Sequence, residues 1–153
     1  LIAVVAILTS CSGISAVDYN NKVVEVQNEI VKEASKFSNR VQQVAQSRDF
    51  ASIQVEADSS LAVIDAQIAK LKDIDAPSGG EEFKEAAIKA FESYKVIFEK
   101  GAAASKFTEE TSVDELNKYI TEFAAAMKES EALEDAARKA QKEFAEKNGI
   151  KVY

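Results

Sequence analysis

Apolar residues recur three and four positions apart along most of the chain, which is the spacing of one face of an α-helix. The first run begins at Asp18, a good N-cap residue, and we expect it to continue to about Gln46. Its apolar seam consists of Val23, Ile30, Phe37 and Val44, interleaved with Gln27, Ala34 and Val41. The pattern predicts a long first helix with a single apolar face.

The next apolar stripe predicts a second helix. Asp49 is expected to cap it, and it should end near Ile74, ahead of the segment Pro77–Gly80. Proline cannot continue a helix and the two glycines permit a positive φ, so this segment is the plainest break in the chain. The stripe consists of Phe50, Ile53, Ala57, Leu61, Ile64, Ile68 and Leu71.

A third helix is expected to begin near Glu81. Ser78 and Glu81 have the spacing of a capping box, in which a serine and a glutamate satisfy the first backbone N–H groups of a helix. The apolar stripe consists of Phe83, Ala87, Phe91, Tyr94 and Phe98. Gly101 weakens the end of this helix, because glycine is a poor helix former, and leaves its boundary open by several residues.

The fourth helix has the clearest limits. Ser112-Val113-Asp114-Glu115 is a second capping box, and Asn148-Gly149 supplies a C-terminal stop. Its stripe consists of Leu116, Tyr119, Ile120, Phe123, Met127, Leu133, Ala137, Ala140 and Phe144. A helix between these limits would be longer than the other three.

Four helices with one apolar stripe each, joined by short turns, describe an all-α fold. We expect an antiparallel up-down-up-down four-helix bundle with a long fourth helix over residues 18–148, and a C-terminal tail over residues 149–153. The residues expected to be buried together in its core are Ile30, Phe37, Ile64, Ile68, Phe91, Phe98, Phe123 and Met127.

The segment ahead of the helices is Leu1–Leu8, which is apolar throughout, followed by Thr9-Ser10-Cys11. Leu8-Thr9-Ser10-Cys11 resembles the lipobox of bacterial lipoproteins, in which the cysteine receives a diacylglycerol and the peptide is cut just before it. The apolar run has the length of a signal-peptide core, and it is shorter than the about 20 residues that span a bilayer. A buried helix end beside a free cysteine is the alternative interpretation.

The lipobox resemblance implies where the protein lies in the cell. Residues 1–10 would be a partial lipoprotein signal peptide whose basic start precedes Leu1, and residues 11–17 would tether the bundle. Cys11, the only cysteine of the chain, would carry the lipid. Ser12 after that cysteine is compatible with transfer to the outer membrane. We expect a lipid-anchored protein of the cell envelope in the outer membrane, on either its periplasmic or its surface face.

Two segments of the helical region are similar to the uncharacterised small helical surface lipoproteins of Gram-negative bacteria. They are Tyr19–Val24 with Gln27 and Ile30 in the first helix, and Ala86–Phe91 with Tyr94-Lys95 in the third. That group carries no agreed activity, so the resemblance implies a lipidation site and a helical fold and nothing catalytic.

Composition narrows the classes of function. Hydrophobic residues make up 46% and charged residues 29% of the chain, which is typical of a folded protein. The net charge of −7 argues against a nucleic-acid partner, because phosphates require a basic patch. The chain has no His, so Ser-His-Asp and Cys-His catalytic arrangements and Cys/His zinc sites cannot be built. We therefore expect no enzymatic activity and no cofactor.

A carboxylate site for a hard cation is the remaining metal hypothesis. The best candidate cluster consists of Glu129, Glu131, Glu134 and Asp135 on the fourth helix. The simpler interpretation is a solvated helix face on which neighbouring basic residues act as counter-charges. Those basic residues are Lys128, Arg138 and Lys139.

The aromatic residues of the third and fourth helices allow two interpretations. Phe91, Tyr94, Phe98 and Phe123 could line a ligand cavity within the bundle, or they could simply form its core.

The second helix has a small, nearly uncharged back face. At 100° per residue, the side opposite its apolar stripe carries Val55, Ala62, Ala66 and Ala69. Helix propensity alone explains the alanines, whereas a helix–helix contact with a partner or a second copy is the functional alternative. Because this face should point away from the core, Ala62→Glu and Ala66→Arg are expected to leave the bundle folded.

These observations favour a membrane-anchored, non-enzymatic envelope lipoprotein that acts as a binding or structural module. Its contacts would lie on the flanks of the bundle or at the membrane-distal tip, residues 47–49 and 107–112. The expected partners are the bilayer, through acylated Cys11, and an envelope protein or a second copy of the chain. The alternative is a small-molecule or cation-binding helical bundle.

Overall fold

The computed structural model describes residues 13–47, 51–108 and 110–151. It contains α1 Ala16–Ser47, α2 Ala51–Lys72, α3 Glu81–Ala103 and α4 Val113–Lys147, with a 3₁₀ turn at Ala104–Lys106. No β-strand occurs in these residues, and α4 is the longest helix with 35 residues. The all-α class with four helices is therefore confirmed. The expectations that lie outside the described residues concern the lipobox-like segment with Cys11, the predicted cap Asp49 with Phe50, and the side chain of Val44.

Both predicted limits of α4 are confirmed, and local hydrogen bonds explain them. The Ser112 hydroxyl accepts the Glu115 N–H at 3.2 Å, and the Glu115 carboxylate accepts the Ser112 N–H at 3.0 Å. At the other end, the glycine of Asn148-Gly149 has a φ of 67°, and the Ile150 N–H donates to the Ala145 carbonyl at 2.8 Å. This 6→1 bond closes the helix as a Schellman motif.

The start of α1 differs from the prediction. The helix begins at Ala16, and Ser15 rather than Asp18 caps it: the Ser15 hydroxyl accepts the Asp18 N–H at 3.1 Å and donates to its carboxylate at 2.7 Å. Helical residues therefore occupy the end of the predicted tether, residues 11–17. Ile14, one residue before the cap, packs partly buried against the core. The connection ahead of the bundle is thus shorter than expected.

The predicted capping box at the start of α3 is wrong. Gly80 precedes the helix without any side-chain cap, so Ser78 and Glu81 do not bond as expected. The Gly80 N–H instead donates to the Pro77 carbonyl at 2.8 Å. A Cβ on Gly80 would lie 3.0 Å from that carbonyl oxygen and 3.3 Å from the Phe144 ring, so the close approach of the loop to α4 favours glycine.

An aromatic cluster joins the start of α1, the start of α3 and the end of α4. The ring centroids of Tyr19 lie 6.1 Å from Phe83 and 5.6 Å from Phe144, both edge to face, and Phe83 lies 5.8 Å from Phe144. Edge-to-face rings attract each other beyond the area that they bury. Burial raises the pKa of Tyr19 to about 12, so its phenol stays protonated. The cluster fixes this end of the bundle.

Polar side chains form contacts between neighbouring helices. Lys72 of α2 pairs with Glu92 of α3 at 3.0 Å, and the hydroxyls of Ser93 in α3 and Ser130 in α4 lie 2.8 Å apart and buried. α4 packs closely along α3 but has few contacts with α1. One of them is a hydrogen bond of 3.0 Å from the Gln141 side-chain amide to the Oδ1 atom of Asn20, near the start of α1.

The predicted core is confirmed for six of its eight residues and wrong for two. Phe123 is only half-buried, and Met127 is 40% exposed. Both lie in the first half of α4, where α1 does not cover that helix. The buried residues are Ile30, Phe37, Ile64, Ile68, Phe91 and Phe98.

Gly101 lies inside α3, where the sequence suggests a weakened end. The helix continues through it to Ala103, and the glycine is buried beneath the ring of Phe37. A Cβ at this position would lie 2.7 and 2.9 Å from two carbon atoms of that ring. The ring cannot easily retreat, because it packs against Phe98 with a centroid distance of 4.5 Å. Gly101 therefore permits the close approach of α1 to α3.

We predict that Gly101→Ala destabilises the protein although alanine is the better helix former. The gain in helix propensity is about 1 kcal/mol, and the clash with Phe37 should outweigh it and leave a net loss of about 1–2 kcal/mol. Urea denaturation followed by circular dichroism measures this change.

The matched control is Gly101→Ala in a Phe37→Leu background, where the smaller side chain makes room and most of the clash should disappear. Gly101→Ala would contradict the prediction if it raised the stability of the wild-type chain.

Candidate binding groove

An open groove of about 560 Å³ lies where α1 and α4 separate, and we name it the α1–α4 groove. α3 forms its floor. A volume of this size falls in the range of small-molecule sites, roughly 300–1,000 Å³. Its lining residues are Val31, Ala34, Ser35, Phe37, Ser38, Asn39, Val41 and Gln42 of α1, Tyr94, Ile97 and Phe98 of α3, and Phe123 and Met127 of α4.

Aromatic rings form the floor and one wall of the groove. Phe37 and Phe98 are buried and pack against each other, with the close helix approach at Gly101 holding them in place. Phe123 forms part of the α4 wall and stacks on Tyr119 at 5.9 Å, which in turn meets Phe107 edge to face at 4.9 Å. This stack fixes the Phe123 wall to the turn that precedes α4.

Among the residues that the structure describes, none of those lining the groove is charged. The distribution of charge around α1 explains this, because at 100° per residue its charged side chains share one arc of roughly 100° and the groove side lies outside that arc. These side chains are Asp18, Lys22, Glu25, Glu29, Lys32, Glu33, Lys36 and Arg40. A charged ligand group buried here would lose its hydration without finding a counter-charge, whereas an apolar group would lose nothing.

The rims of the groove expose apolar side chains on both sides. Val31 of α1 is 42% exposed and Met127 of α4 is 40% exposed. Ile120 and Val113 precede Met127 at intervals of seven residues, so they lie near the same side of α4, and both are also exposed. Exposed apolar side chains on both rims make the groove a candidate contact site.

Tyr94 closes the groove at its inner end. Its hydroxyl donates to the Glu134 carboxylate at 2.7 Å, and Glu134 pairs with Arg138 at 3.6 Å. Burial, and then this hydrogen bond, raises the pKa of Tyr94, so the phenol stays protonated. Beyond Tyr94 lies a small, partly open space of about 20 Å³ beside Gln27 and Phe91, which is room for one water molecule.

The four aromatic residues that the sequence singled out lie in two different places in the structure. Tyr94, Phe98 and Phe123 line the groove, whereas Phe91 is buried beside the small space beyond Tyr94. Sequence periodicity identified these aromatics, and on α1 it identified Phe37 but missed the groove residues that lie beside the stripe, such as Val31 and Ser38. The confinement of charge to one arc of α1 is the signal that could have found them.

The acidic cluster of α4 is dispersed over its surface. Glu129 and Glu131 are exposed, Glu134 holds Tyr94, and Asp135 pairs with Arg138 at 2.6 Å. Within residues 13–47, 51–108 and 110–151, no three acidic side chains come together so that they could hold a metal ion.

The back face of α2 points into solvent. Val55 is 72% exposed, and Ala62, Ala66 and Ala69 are exposed as well. At the edge of this face, Lys95 of α3 donates to the Asp65 carboxylate at 2.5 Å. The direction of the face agrees with the sequence pattern, and its contact with a partner stays a prediction.

No protein-family model, curated protein or solved structure matches the chain. Among the helices that the structure describes, none is long and apolar enough to cross a membrane.

Proposed function

We propose that the protein is a lipid-anchored, non-enzymatic binding protein of the bacterial cell envelope, and that the α1–α4 groove is its binding site. The observation that carries this proposal is the groove itself, an uncharged and apolar site of about 560 Å³ with an aromatic floor. The core stripes of α1, α2 and α3 are packed against one another, and the groove is one of the places where apolar side chains such as Val31 and Met127 are left exposed.

Anchoring would depend on the lipid at Cys11. Because the chain has a net charge of −7, an anionic membrane surface would not attract it. Two or more acyl chains, in contrast, anchor a protein stably. Since α1 begins at Ala16, the chain from Cys11 to the helix reaches at most roughly 17 Å. The start of α1 would therefore lie close to the outer membrane that we propose as the anchor site.

The helices would alternate in direction, as an antiparallel up-down-up-down bundle. Contacts between α3 and α4 support this arrangement, because the partner number falls as the residue number rises: Phe83 meets Phe144, Ser93 meets Ser130 and Lys100 pairs with Glu122. The groove is lined by the second half of α1 and the first half of α4. It would then lie on the flank of the bundle that is remote from the membrane and open to a ligand.

The proposed action is binding without chemistry. The chain lacks His, and its single thiol would carry the lipid. The occupant of the groove would be a small apolar molecule or an apolar segment of an envelope partner.

Photo-crosslinking in whole cells tests this function. A photoreactive phenylalanine analogue at Met127, on the groove rim, is expected to capture a specific molecule, and the same analogue at Ala66, on the back face of α2, is not. Mass spectrometry identifies what is captured. Ser38→Asp, which places a charge in the groove, should abolish the capture at Met127.

Ser59→Asp is the matched control, because it adds the same charge on the exposed surface of α2. Capture only from Ala66 would move the binding site to the back face of α2. If the Ser38→Asp variant still captured the same molecule at Met127, the groove would not be the binding site.

A further inference from the structure

We draw no further inference here: the strongest candidate, the exposed apolar stripe of Val113, Ile120 and Met127 on the first half of α4, borders the groove already described, and nothing in the structure shows what covers it.

Discussion

Phe98→Ala is expected to lower the free energy of unfolding by about 3–5 kcal/mol. The side chain is 1% exposed and its ring packs against Phe37 with a centroid distance of 4.5 Å, so truncation would leave a cavity that neighbouring rings cannot fill. Urea denaturation followed by circular dichroism gives the midpoint and slope from which this loss is calculated.

Phe123→Ala is the informative comparison. The periodicity of the fourth helix alone predicts a buried Phe123 and therefore a loss as large as that of Phe98→Ala. Because the structure leaves Phe123 half-buried on the wall of an open groove, we expect a loss of only about 1–2 kcal/mol. Equal losses for the two variants would mean that α1 and α4 close together in solution and that the groove is absent.

Cys11→Ala is expected to release the protein from the membrane fraction into the soluble fraction of cells that express it from its complete gene. The physical reason is that the acyl chains would supply the membrane affinity of a body with a net charge of −7. Cell fractionation measures the distribution, and incorporation of an alkyne-tagged fatty acid measures the lipid, which should disappear in the variant.

Ser12→Ala is the control for this experiment, because it changes the neighbouring residue and keeps the thiol. It should remain lipidated and bound to the membrane. A mature protein that retains residues before Cys11, or an unmodified Cys11 in the membrane fraction, would contradict the lipoprotein assignment.

The limits of α4 were predictable because bonds between near neighbours decide them, whereas the start of α1 was misplaced at Asp18 although the bonds from Ser15 to Asp18 are equally local. Ser112 and Glu115 cap α4 through hydrogen bonds across three residues, and Asn148-Gly149 ends it through bonds that reach back only a few positions. The box at Ser78 and Glu81 has the same spacing and does not form. The Gly80 N–H instead donates to the Pro77 carbonyl at 2.8 Å, and a Cβ at this position would lie 3.3 Å from the Phe144 ring of α4, a closeness that the spacing of Ser78 and Glu81 does not encode.

The candidate site was predictable only in part, because a stripe shows which side of a helix is apolar but not what covers it. Tyr94 and Phe98 were identified by their positions on the stripe of α3, and they do line the groove. The α1 wall was identified only in part, since Ala34, Phe37 and Val41 lie on the predicted stripe of that helix whereas Val31 and Ser38 lie beside it. Gly101 suggests a weak helix end by its propensity, whereas its buried position depends on a ring that lies 64 residues earlier in the chain.

The sequence by itself determined four helices, the limits of α4 and most of the core, because periodicity and capping act over one or two helical turns. Tertiary structure alone decided that Phe123 and Met127 border an open groove. Their exposure depends on the separation of α1 and α4, two helices far apart in the chain, and no spacing within either helix encodes that separation. The uncharged side of α1 is present in the sequence, but it becomes a wall of the groove only when α4 leaves it uncovered.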